Sequence, residues 1–150
     1  MRTQLADALK EATKAQDKRR ISTLRLVQAA IKDRDIAIRS DGRTDGVTDA
    51  EILDILAKMV KQRKESIATY EQAGRMELAQ QEREEIEIIE SFMPKQLSEE
   101  EVKAACEAAV QEMGASGLKD MGKVMGVLKS KYAGQMDFAK AGAAVKSLLS

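Results

Sequence analysis

Four basic residues, Lys18, Arg25, Lys32 and Arg39, recur every seven positions. An α-helix drifts only about 20° per heptad, so on a helix the four make one stripe. The positions between them on that face are Ser22, Ala29 and Ile36, none of them acidic. Charges that stabilise a helix surface usually alternate in sign along a face. At about 1.5 Å per residue the stripe repeats roughly every 10 Å, a spacing that can follow phosphates or an acidic partner helix. It can equally pair with the acids of "QEREEIEIIE" within the chain, and both readings stay open.

A second constellation sits in "DMGKVMGVLK", residues 120–129. Gly122 and Gly126 are four apart and so share a helical face, with Met121, Val124, Met125 and Leu128 forming an apolar one. Each glycine within a helix costs about 1 kcal/mol against alanine. Close packing of a neighbouring helix would account for them, and so would close approach of a nucleic-acid backbone or a partner helix. Lys119, Lys123, Lys129 and Lys131 lie beside them, with Lys140 and Lys146 further on. Residues 117–150 carry six lysines against Asp120 and Asp137, a local charge of +4 in a chain whose formal net charge is zero. Lysines beside bare backbone suit phosphate contact.

Other chemistry is poorly provided for. The chain has no histidine and one cysteine, which removes His-based acid–base catalysis, Ser-His and Cys-His nucleophile pairs and ordinary zinc sites. Cys106 shares a helical face with Val102 and Val110, as a small core residue does. No phosphate-binding loop, dinucleotide fingerprint or Asp-rich metal loop is present, so no cofactor and no metal is expected. Aromatic residues make up 3%, too few for base-stacking platforms, so an RNA partner would be a folded one read by shape and phosphate.

The elements that position these residues are all helical. Good helix formers dominate the 150 residues, and no strand alternation is sustained. Thr3 is expected to cap a first helix and Asp17 a second. Breaks follow at Asp41-Gly42 and Asp45-Gly46. Thr48 with Glu51 forms a capping box for a third helix that Gly74 ends, and Val47 with Ile52 a hydrophobic staple. Along it Lys58 and Lys61 have acids one turn away, whereas Arg63 falls near the apolar face. A fourth helix from about Met76 stops before Pro94. Ser98 and Glu101 repeat the capping box, and three shorter helices are expected at about 98–113, 118–131 and 137–149. The organisation is a long-helix N-terminal domain of about four helices, 1–94, followed by a small C-terminal three-helix bundle, 95–150. No apolar run reaches the roughly 20 residues of a membrane span. The single cysteine and the charged N-terminus point to a cytoplasmic protein.

Three stretches, "RRISTLRLVQAAIKDRDI", "MVKQRKESIATYEQAGRMELAQQEREEIEIIESFMPKQLSEEE" and "DMGKVMGVLK", closely resemble the GatB/YqeY family over nearly the whole chain. The resemblance implies two α-helical domains, the second like the tail of the GatB subunit of the tRNA-dependent amidotransferase. In that enzyme the tail helps hold tRNA and performs no amide chemistry, and the phosphorylating body of GatB has no counterpart here. In the segment before the last helix, "YAGQMDFAKAG", Gln135 and Met136 stand where the family usually has Arg and Ala. The reading is a non-catalytic tRNA-binding accessory protein, with Lys18, Arg25, Lys32, Arg39, Lys119, Lys123, Lys129 and Lys131 as phosphate contacts. The alternative is an interaction module whose exposed Met-bearing helical face docks on a synthetase or an amidotransferase subunit. A third reading is glutamine-dependent amidotransferase, or carbon–nitrogen ligase, activity.

Overall fold

A computed structural model describes residues 1–150, and it is helical throughout, with seven α-helices and no strand. The helices are α1 (Arg2–Lys14), α2 (Lys18–Ala37), α3 (Asp49–Gln72), α4 (Met76–Glu90), α5 (Glu99–Glu112), α6 (Met121–Lys131) and α7 (Phe138–Leu149). They divide between two compact units, Met1–Met93 and Pro94–Ser150.

Local chemistry starts and stops most of them where the sequence says. Asp17 accepts from the Arg20 amide, and Thr48 with Glu51 and Ser98 with Glu101 close complete capping boxes. Gly42 and Gly74 take the left-handed conformation that lets the chain turn away. Two starts and stops differ. α1 begins two residues earlier than a Thr3 cap allows, with Met1 at the cap position and no side-chain bond. α2 ends at Ala37, and Ile38–Asp41 continue as a 3-10 turn, because Ile38 must still reach the core before Gly42 reverses the chain.

In the first unit α1 packs on α2, α2 packs on α4, and α3 and α4 form a long helical hairpin. Leu5, Leu24, Val27, Ile52, Leu56 and Ile89 are the fully buried centre. Val47 is buried beside Ile52, as the staple requires. Arg2 ties the outer corner together. Its guanidinium donates two bonds to Asp35, at 2.7 and 3.0 Å, and Asp35 also accepts from the Val47 amide at 2.8 Å. Gly46 passes directly beneath this pair. A Cβ there would come within 2.9 Å of both Arg2 and Asp35, and its φ of +84° is one few other residues adopt.

Between α2, α3 and α4 lies a half-buried charge network. Arg63 donates to Glu85 at 2.9 Å and to the Met59 carbonyl at 3.2 Å. Arg19 sits 3.3 Å from Glu84 and 3.8 Å from Glu85, with the Gln81 amide oxygen able to face its guanidinium. Burial, and then the neighbouring Glu85, push the Glu82 carboxyl above the usual carboxylate range against the pull of Arg63. The folded state therefore holds that proton to higher pH than the unfolded chain, and ionised Glu82 costs stability above its folded pKa. Glu82→Gln should raise the urea midpoint at pH 7, by less than about 1 kcal/mol because the carboxylate still meets water. The gain should fade as pH drops towards 4, where wild-type Glu82 is itself protonated.

In the second unit α5, α6 and α7 pack pairwise around Cys106, Val124, Leu128, Ala141 and Val145. Cys106 is fully buried, and burial pushes its thiol up. The "YAGQM" loop is part of this core. Met136 is 5% exposed, and the Gln135 carbonyl accepts from the Leu97 amide at 2.9 Å. The loop is thus tied by its main chain to the segment that leads into α5, and Met136 adds its side chain to the core.

Candidate nucleic-acid interface

Packing decides which side of α6 is free. Val124 and Leu128 are buried and Met121 and Met125 half-buried, so the opposite side is exposed. At about 100° per residue, that exposed side runs in order through Lys129, Gly122, Gly126, Ser130 and Lys123. Both glycines face open space, and a Cβ added at either would meet nothing within 4 Å. Close packing within the bundle therefore does not account for the glycine pair: neither α5 nor α7 approaches them. The methionines face inward instead, their methyls 3.7 and 3.9 Å from where a Cβ of the buried Gly142 on α7 would sit. The Met-bearing face of α6 is thus half-buried against α7.

What remains is a strip of nearly bare backbone about two turns long, bordered by a lysine on each side. Lys119 is exposed on the 3-10 turn (Leu118–Asp120) that leads into α6. Neither it nor Lys123 or Lys129 has a carboxylate within salt-bridge range. The two aspartates of this region hold backbone: Asp120 accepts from the Ser116 amide at 3.1 Å, and Asp137 from the Ala139 amide at 2.9 Å. Lys131 differs from the others. It lies on another side of α6 and is bound to Glu112 of α5 at 2.8 Å, which raises its pKa, so it leaves the set of free cations.

On α2, Lys18, Arg25 and Lys32 are exposed along one edge, as the heptad spacing requires, and Arg39 follows on the 3-10 turn beyond the helix. The acids of "QEREEIEIIE" do not pair with this row. Glu82, Glu84 and Glu85 are taken by Arg19 and Arg63, whose positions the heptad pattern did not single out. Lys58 pairs with Asp54 at 3.1 Å, an ordinary surface pair. The two basic sets belong to different units.

No group of three or more His, Cys, Asp or Glu side chains is placed to hold a metal ion. No helix is long and apolar enough to cross a membrane.

Comparison with known proteins places this geometry in a family. The protein named "Altered inheritance of mitochondria protein 41, mitochondrial" of Eremothecium gossypii is 32% identical over 148 residues, 97% of this chain and 78% of that protein. Its namesake in Kluyveromyces lactis is 34% identical over 88 residues, 59% of this chain and 45% of its own length. A family model described as "Yqey-like protein" matches residues 2–149. With that match running almost from end to end, the chain belongs to the YqeY-like family.

Proposed function

We propose that this chain is a non-catalytic accessory protein that binds tRNA through the exposed side of α6. The observation that carries the reading is the strip at Gly122 and Gly126. Two glycines lower the stability of a helix where nothing in its own bundle needs the space, between Lys123 and Lys129 and next to Lys119. A phosphate backbone laid along the strip would reach peptide groups and flanking ammonium groups together. The resemblance of this unit to the amidotransferase tail supports tRNA as the RNA concerned. A cytoplasmic site of action is part of the proposal, although the two relatives are mitochondrial by name. The row on α2 carries aliphatic neighbours for which a phosphate chain has no use, and it is left out of this reading.

The test is binding of the purified chain to bulk tRNA at two salt concentrations, beside Lys119→Ala/Lys123→Ala/Lys129→Ala. Three phosphate contacts should cost about 20- to 40-fold in affinity between 50 and 200 mM salt. The triple variant should lose most of the binding and most of the salt dependence. Absence of wild-type binding at low salt would remove RNA as the partner of this chain.

A further inference from the structure

The outer face of α2 combines two features that its own unit leaves unused. The first is charge. Arg2, Arg19, Arg34, Arg43, Arg63, Arg75 and Arg83 each have a carboxylate within 4 Å. Arg20 lies over the Phe92 ring at 5.6 Å. Arg25 and Arg39 have neither, and both belong to the row with Lys18 and Lys32. The second is apolar surface. Leu26 and Ile36 are 49% and 50% exposed, the one pair among the six large exposed apolar side chains to share a helix face. Around α2, at about 100° per residue, the order is Lys32, Arg25, Lys18 with Ile36, then Ala29, Ser22, Asp33 and Leu26. A basic edge therefore borders a low strip of Ala29 and Ser22 with a large aliphatic residue towards each end. Asp33, on the far side, is the face's one acid.

We infer that this face is a docking surface for an amphipathic, acidic-edged helix of a partner protein. Charge complementarity selects acids for the edge, and Leu26 and Ile36 select aliphatic contacts beside them. Ten residues separate the two, about 15 Å or three turns of a helix lying alongside. A partner with aliphatic residues at i, i+3 or i+4, i+7 and i+10 or i+11, and glutamates flanking them, would cover both features. RNA would use only the basic edge.

The probe is a designed 18-residue helical peptide with leucines at that spacing and glutamates beside them, titrated into the full-length chain by fluorescence anisotropy. An analogue with lysine for each glutamate and a scrambled peptide are the controls. Two variants alter exposed positions only, Leu26→Ser/Ile36→Ser and Arg25→Glu/Lys32→Glu, with helicity checked by circular dichroism. The glutamate peptide should bind and the controls should not. Each variant should weaken it at least about tenfold, as loss of anchor contacts does. The serine variant should bind tRNA as the wild type does. No binding of the glutamate peptide, or equal binding by wild type and serine variant, would overturn the inference. So would loss of tRNA binding in the glutamate variant with no loss of peptide binding, which would give the face to RNA. Failure of tRNA to bind at all would sink the function proposed for α6 and leave this result standing, because the two faces lie on different units.

Discussion

Replacing Arg63 with alanine should lower the stability of the first unit by about 3 kcal/mol, the range for breaking a largely buried ion pair. Arg63 and Glu85 are 13% and 15% exposed at the side chain, so neither can be rehydrated in place. Without the guanidinium, Glu82 loses its ion-pair partner and Glu85 keeps only Arg19 at 3.8 Å, and Glu82 is already pushed towards its neutral form. The loss should therefore be greatest at neutral pH and shrink as the medium is acidified. Hydrogen exchange of the amides near Leu56, followed against urea, would report this unit alone. The companion variant Arg63→Met/Glu85→Leu removes both charges and keeps apolar volume. It should recover to within about 1 kcal/mol of wild type, because an ion pair held away from water roughly breaks even against good packing. A double variant as unstable as Arg63→Ala would mean that shape, not charge, is what Arg63 supplies.

The second large effect has opposite signs in two measurements. Gly122→Ala/Gly126→Ala should stabilise the second unit, by about 1.5 kcal/mol for the pair, since both positions are helical and an added methyl meets only solvent. The same variant should bind tRNA about tenfold more weakly, equivalent to about 1.4 kcal/mol, because the methyls hold a backbone off the strip. A gain in stability with unchanged binding would leave the lysines as contacts and remove the glycines from the interface. A loss of stability would mean that something within the unit does approach them.

The sequence was most readable where the physics is local. The capping boxes at Thr48 and Ser98, the Asp17 cap and the turns at Gly42 and Gly74 each need only four or five neighbouring residues, and each is found in place. What depended on tertiary neighbours was less readable. The apolar side of α6 could be read from spacing, but that neither α5 nor α7 lies across Gly122 and Gly126 could not. The same holds for Lys131, whose partner Glu112 is nineteen residues away on another helix. Arg63 stood out as a cation near an apolar face, yet its reason, Glu85 on α4, appears only when the hairpin closes. Asp35 gave no signal and Gly46 only that of a chain break, because the Arg2 contact that constrains them spans more than thirty residues. The heptad row was legible, but its last member lies beyond the α-helix, where Ile38 follows the core.

The hairpin of α3 and α4 has one more property. α3 is continuous in its hydrogen bonding for 24 residues, but its buried side chains all lie between Ile52 and Val60. Beyond Arg63 it is accompanied only by the start of α4, where Ala79 is the one buried residue before Ile86. One helix thus has two stabilities. Its amides near Leu56 should exchange with solvent deuterium only when the whole unit unfolds. Those near Thr69 should exchange through opening of the tip alone, with the core intact. The tip can be lost and regained many times during the life of the folded unit, and the Arg83–Glu71 ion pair would break and re-form with it.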